Sequence, residues 1–393
     1  MYYDYRYTPN SGGPVSFWFS EPYDAVNAAN LVIGQIDNLP EGAGKNNILG
    51  QALAARAFAH FDLVRVYGKI PTQSSDANSS LGIVYVKVED GDVGDPLAQP
   101  ARETVASNYT EIIGDLERAS TLIGASNGEG RLNKNAVFGI LSRVYLYNGE
   151  WQKAIDAANQ VTTPLATAAQ LPGVYTDANN AGIVFELAIN TTSESGYENV
   201  GVLYNQTVSG NIRSEYVIDF GFWNSIEEAD QRRAVLQTVG TYESKNYNAI
   251  IKFRGETGQV NGRVDIKVVR AAEVLLNKAE AQFNLGLEDE ALISLNQLRD
   301  LRYSSYLGGE TGQELEDAIQ FERRVELAFE GHRFFDIKRR GEAVTRTNAG
   351  DIIDGTGTPP DVVVLPAGDH RFQFPIPIGE INANPNFVQN PGY

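Results

Sequence analysis

The chain has 393 residues, 42% hydrophobic and 21% charged, a globular composition in which 50 acidic against 32 basic residues leave a net charge of −18. Such a field opposes generic binding to nucleic acid, whose affinity rests on neutralised phosphates. The absence of cysteine excludes disulfides, thiolate zinc sites and cysteine nucleophiles, and three histidines (His60, His332 and His370) offer little from which to build a metal centre or a triad.

No run of ~18 apolar residues is present to span a bilayer, and the start "MYYDYRYTPN" lacks the basic and apolar regions of a signal peptide. The first helix is expected over residues 21–38, "EPYDAVNAANLVIGQIDN". A second, "ILGQALAARAFAHFDLVRVYG", is stopped by Gly68 and Pro71. Residues 72–100 read as a loop holding one short strand, "GIVYVKV". In "RETVASNYTEIIGDLERASTLI", Val105, Tyr109, Ile112, Ile113 and Leu116 recur on one helical face. The acidic turn "EDGDVGDP" places Glu89, Asp90, Asp92 and Asp95 together without the spacing of a calcium loop, so it reads as a solvated turn.

Two later segments resemble one another. "AVFGILSRVYLYNGEWQKAIDAANQV" aligns with "EVLLNKAEAQFNLGLEDEALISLNQL", so that Gly149 meets Gly286, Ala154 meets Ala291 and Asn159 meets Asn296. Each has a helix, a turn at glycine and a second helix with a small alanine toward its partner, the logic of tetratricopeptide pairs. Trp151 lies in this motif and reads as packing. Between the copies, roughly 162–265 form a polar, Tyr- and Gly-bearing insertion with "GIVFELAI" and "AIIKFRG" as its strands. Loops of this kind on a rigid scaffold are where binding functions concentrate.

The stretch "FERRVELAFEGHRFFDIKRRG", residues 321–341, is dense in charge. On a continuous helix Phe321, Val325, Ala328, Phe329 and His332 would form its buried stripe. Arg323–Glu326, Glu330–Arg333 and Arg333–Asp336 fall three apart and could pair. Glu326 and Glu330 set like charges together and need partners from elsewhere, which implies a partly buried ion network. Gly331 would cost such a helix ~1 kcal/mol relative to alanine, and implies close approach of another backbone. An acid–base or metal pair at Glu326, Glu330 and His332 fits less well, because catalytic carboxylates face a cleft from different elements and metal-binding helices carry paired histidines.

These residues carry a resemblance. "ERRVELAFEGHRFFDIKRRG" is similar to the signature of the SusD/RagB family of nutrient-binding outer-membrane lipoproteins of Bacteroidetes. "RAFAHFDLVRVYGKIP", "RETVASNYTEIIGDLERAS", "RLNKNAVFGILSRVYLYNGEWQKAIDAANQV" and the closing "FPIPIGEINANPNFVQNPGY" resemble further family landmarks in the expected order. The resemblance implies a mainly α fold of tetratricopeptide-like pairs with a long irregular portion and a few short strands. It implies one domain over 1–393, with a scaffold at roughly 21–161 and 266–341 and a ligand-binding portion at roughly 1–20, 162–265 and 343–380. It further implies a non-enzymatic protein on the extracellular face of the outer membrane. Such a protein captures an oligosaccharide or polysaccharide for a SusC-like TonB-dependent transporter, and it has no cofactor or metal. Family members begin with a lipidated cysteine after a signal peptide; this chain holds neither, so the anchor is expected in the full-length precursor. Peptides or glycoprotein-derived ligands on the same fold are the alternative cargo.

A sugar offers a weakly apolar face and a rim of hydroxyls, so its site needs flat aromatic rings bordered by polar side chains. Trp18, in "SGGPVSFWFSEPY" just before the first expected helix, and Trp223, in "DFGFWNSIEEADQRR" of the insertion, are the leading candidates. Tyr5, Arg6, Tyr7 and Asn10 lie near Trp18 in sequence, and Tyr197 and Tyr204 lie in an Asn-rich loop. In the family, the region before the "NAAN" helix and the insertion tend to supply binding residues. That correspondence is regional, and ordinary loop packing is the competing explanation for each ring.

Overall fold

Proline fixes φ near the helical value and has no N–H to leave unbonded, so it favours the first turn of a helix. In the computed structural model the first helix accordingly starts at Pro14, seven residues before the expected boundary, and carries Pro22 within it. The structure describes residues 4–89, 92, 95, 97–189, 201, 204, 206–208, 211–213, 216–242, 245–255, 263–346 and 360–393. Helices of seven or more residues are α1 Pro14–Gly34, α2 Ala43–Tyr67, α3 Val105–Leu122, α4 Lys134–Asn148, α5 Trp151–Gln160, α6 Ala271–Asn284, α7 Glu288–Arg299, α8 Gly312–Glu326 and α9 Arg333–Arg339. The fold is mainly α, as the sequence implies. From α1 to α5 and from α6 to α8 each helix packs on the next, and α5 joins the first group to α6.

The internal resemblance is a structural one. Gly149 and Gly286 both stand at φ 76°, where L side chains are strained, and each lets one helix end and the next fold back. Ala154 and Ala291 are both sealed from solvent, so the returning helix approaches closely. The predicted face of α3 is buried in full, from Val105 to Leu116. Trp151 packs, half-buried, against the main core.

The expected strand at 82–88 does not form. Ile83, Val84 and Tyr85 are buried in extended backbone, but side chains complete much of its hydrogen bonding. Asn108 accepts from Ile83 N–H and donates to Ile83 carbonyl, and His60 Nε2 accepts from Val86 N–H at 3.0 Å. His60 Nδ1 lies 2.9 Å from the Arg56 carbonyl, which fixes the neutral tautomer with the proton on Nδ1. Burial holds the His60 pKa down to about 3, against an upward pull from the bond to Arg56. An unfolded histidine titrates at about 6.5, so the unfolded chain takes up this proton first. The stability His60 supplies is complete above about 6.5 and drains away as pH falls toward 3. Buried His332 acts in the same direction. Urea midpoints measured from pH 7 to pH 5 should fall less steeply in His60→Gln than in the wild type; equal slopes would contradict this role.

Short antiparallel ladders populate the irregular portion. β1 Ile183–Leu187 pairs with β6 Ile266–Arg270, so the insertion leaves and rejoins the helical frame through one ladder. Within it, β2 Gln206–Val208 pairs with β3 Asn211–Arg213, and β4 Gln237–Tyr242 with β5 Lys245–Ile250. The second expected strand, 249–255, keeps only Ala249 and Ile250 in β5. β7 Val344–Thr345 and β8 Val364–Leu365 form the last pair.

Residues 321–341 are not one helix. α8 ends at Glu326, Phe329 takes φ 67° and Gly331 φ 79°, and α9 starts afresh at Arg333. A Cβ on Gly331 would meet no atom within 4 Å, so its left-handed backbone, and not a close neighbour, calls for glycine. The three-apart pairs do not form either. Glu326 accepts from Arg270 at 2.8 Å, Arg302 at 2.9 Å and Arg232 at 3.4 Å. Glu322 takes Arg232 and Arg299, Glu330 takes Arg270 and Lys252, and Asp336 takes Arg323 and Arg339. The network expected from the like-charged spacing exists and lies deeper than expected, with the Glu326 side chain 1% exposed and Arg302 0%. Because Asp230, Arg232 and Lys252 belong to the insertion, the network joins that portion to the frame.

Candidate ligand-binding surface

Trp18 lies on α1 rather than before it. Its ring stacks on Phe374 with centroids 5.4 Å apart and planes 8° from parallel. Phe374 is buried, yet Trp18 remains 52% exposed, and neighbouring Phe17 is 59% exposed. An indole backed by a buried ring and open to water is a rigid apolar platform. Asn10 is exposed in the turn that leads to it.

The other N-terminal candidates divide. Tyr7 is 4% exposed, its ring 4.5 Å from Phe374 and its hydroxyl donating to the Arg371 carbonyl, so it is a core residue and presents no ring to a ligand. Tyr5 is half-buried under the Arg346 guanidinium, 4.7 Å from its ring centroid. Arg6 is exposed and paired with Asp361. Tyr7 therefore supports the Trp18 platform from below, sharing Phe374 with it.

In the insertion, Asp219 caps the short helix Phe220–Ser225 by accepting from Phe222 N–H at 2.8 Å. Phe222 points into the core and Trp223 is half-buried, with Arg233 Cζ 3.9 Å from its ring centroid. Arg233 is steered there by bonds to the carbonyls of Trp223 and Ile226. Tyr204 packs beside the same cluster, against Phe253 and Phe329, and burial raises its pKa. Its neighbour Tyr216, 6.1 Å away, is 50% exposed and is the ring that the sequence reading passed over. Tyr197 lies outside the described residues. Trp18 and Trp223 rest on different apolar clusters, so the candidates form two groups.

The carboxylates that could suggest catalysis are committed elsewhere. Burial alone would raise the Glu326 pKa, but Arg302 and Arg270 outweigh it and hold the group well below its ordinary value. Glu330 is lowered in the same way by Arg270 and Lys252. His332 is buried and held well below its usual range by burial, then by Arg143 and Arg323. Both glutamates are anchored partners in the network, whereas His332 lies 4.0 Å from Glu273 through Nε2 and has no hydrogen bond at its buried Nδ1. Of the acidic turn, Glu89, Asp92 and Asp95 are exposed, and Asp90 lies outside the described residues. Glu129, Glu186 and Asp265 converge with oxygens within 4.8 Å of one another, but Lys267 already bonds Glu186 at 2.6 Å and supplies local positive charge.

The comparisons agree with this architecture. Residues 174–393 match the model of the SusD family, and residues 2–146 match a model described as "Starch-binding associating with outer membrane". SusD-like protein P2 of Formosa agariphila is 26% identical over 437 residues, covering 98% of this chain and 82% of that protein. A solved Bacteroides vulgatus structure aligns at 31% identity and TM-score 0.85, covering 100% of this chain and 88% of that one. A SusD superfamily structure from Bacteroides thetaiotaomicron aligns at 28% identity and TM-score 0.84, covering 99% and 88%. With the paired helices, the ladder-rooted insertion and more than half of the sequence matched by one family model, the chain belongs to the SusD family.

Proposed function

We propose that this protein binds a glycan at the cell surface and passes it to a SusC-like TonB-dependent transporter, held at the outer membrane by a lipid on the full-length precursor. The observation that carries the reading is the Trp18 ring, flat on buried Phe374 and half open to water. Trp223 and Tyr216 supply further rings in the irregular portion. Family membership agrees with a binding role, and the described carboxylates of the charged segment are locked in structural pairs. Among the described residues no helix is long and apolar enough to cross a membrane.

A protein that must release its cargo needs modest affinity, and a Kd between about 1 mM and 1 µM corresponds to ~4–8 kcal/mol. Trp18→Ala and Trp223→Ala should each weaken oligosaccharide binding by ~1 kcal/mol or more, at least about fivefold, since a stacking ring contributes roughly this beyond its area. Calorimetric titration against an oligosaccharide panel, with circular dichroism to confirm folding, is the measurement. Unchanged affinity in both variants would remove the ring platform. A peptide cargo would show itself as binding to peptides with a silent glycan panel.

A further inference from the structure

The helical frame is not closed between α3 and α5. A groove of about 370 Å³ lies there over α4, near the small end of the roughly 300–1,000 Å³ of ligand pockets. Its floor is Phe138, Leu141 and Tyr145, spaced three and four apart on one stripe of α4. Packing within a helical pair does not demand this floor. In the second copy Leu275, Lys278 and Gln282 stand at the corresponding positions, so two of the three are polar. None of the candidate sugar rings lines the groove.

The rim is charged, and its charges are unevenly matched. Lys153 bonds Glu150 at 2.6 Å and reaches Glu117 only at 3.9 Å. Glu117 is exposed and accepts from the Tyr145 hydroxyl at 2.6 Å. Asp156 is exposed and accepts from the Gln152 amide at 3.0 Å. With Lys153 matched by Glu150, Glu117 and Asp156 leave the rim net acidic. The Tyr145 ring is buried, with Lys153 Nζ 5.3 Å from its centroid, so it presents no open face to a sugar.

We propose that this groove docks a partner protein through a segment that seats an apolar side chain on Phe138, Leu141 and Tyr145 and brings an arginine or lysine to Glu117 and Asp156. Carboxylates in water at the edge of apolar surface favour a cation beside an apolar group, and opposite charges across an interface orient the encounter. Arginine suits the position, because its stem covers apolar surface while its planar fork meets a carboxylate.

The probe is the blocked tetrapeptide arginine–leucine–leucine–arginine. Two controls separate its features. Glutamate–leucine–leucine–glutamate reverses the charge, and arginine–serine–serine–arginine removes the apolar side chains while keeping the attraction of the whole acidic chain. Titrations followed by amide chemical shifts should show the first peptide binding about tenfold or more tightly than either control. The shifts should fall on α3, α4 and α5 beside the groove. Glu117→Gln/Asp156→Asn should weaken the first peptide at least about fivefold. Equal binding of the serine control would mean that net charge alone is felt, and equal binding of the glutamate control would mean that the rim selects nothing. Either result overturns the site, as does an unchanged affinity in the variant or the absence of shifts at about 10 mM peptide. Shifts confined to the Trp18 or Trp223 regions would mark the peptide as cargo and overturn it too. The wild-type comparison decides the matter even where the variant fails to fold.

Discussion

Glu326→Gln should destabilise the folded protein by about 3–5 kcal/mol, the range expected when one member of a buried ion pair is removed and its partner stays. The amide keeps the shape and removes the charge. Arg232 would retain Asp230 and Glu322, and Arg270 would retain Glu330. Arg302 has no such reserve. Both its Nε and Nη2 bond Glu326, and its remaining contacts are the carbonyls of Ala166 and Leu301. A sealed guanidinium without a counter-charge is the dominant loss. Denaturant titration reads the change, and Glu326→Leu combined with Arg302→Met should recover part of it, because that pair removes both charges. A loss under 1 kcal/mol in Glu326→Gln would show that the network is not what holds the insertion to the frame. The folded carboxyl pKa is depressed, so its stabilisation is present above the unfolded value and is lost as pH falls below it.

Arg102→Leu should cost about 2–4 kcal/mol and should loosen the C-terminus before the rest. Arg102 is buried and donates to the carbonyls of Gly82, Leu81, Tyr67 and Val388 and to Asn390 Oδ1. Burial lowers its pKa to about 10. Asn390 in turn donates to the carbonyls of Tyr67 and Phe374. One side chain thus joins the end of α2, the extended 81–85 segment and the last residues of the chain. Replacing it with leucine leaves several buried acceptors unmade at ~1–3 kcal/mol apiece before relaxation. Hydrogen exchange over 384–393 should accelerate ahead of global unfolding, and limited proteolysis should begin there. Because Phe374 backs Trp18, ring-dependent binding should weaken as well. Arg102→Lys should fall between, keeping the charge and losing the fork.

The features legible in the sequence are those written in local chemistry. Gly149 and Gly286 mark turns by backbone freedom, Ala154 and Ala291 mark close approach by size, and the α3 stripe follows from periodicity alone. The misread features are set by partners distant in sequence. The 82–88 run has strand-like side chains, but Asn108, Glu103 and His60 occupy backbone groups that a neighbouring strand would need. Residues 321–341 keep a helical rhythm through Phe329, whose left-handed backbone only tertiary packing against Tyr204 can sustain. The candidate surface was legible as regions and not as residues. Tyr5 and Tyr7 are two apart in one irregular stretch, yet one lies under an arginine and the other is part of the core. Tyr216 went unnoticed because nothing in its neighbours distinguishes an exposed loop tyrosine from a packed one.

The depth of the charge network separates two kinds of electrostatics in one molecule. In brine near 1 M the screening length shrinks to about 3 Å, enough to mute any attraction reaching through water. Dissolved ions cannot enter between Glu326 and Arg302, so the joint between frame and insertion keeps its strength. Exposed pairs such as Arg6–Asp361 and Lys87–Glu111 enjoy no such shelter, and salinity would weaken them while leaving that joint intact.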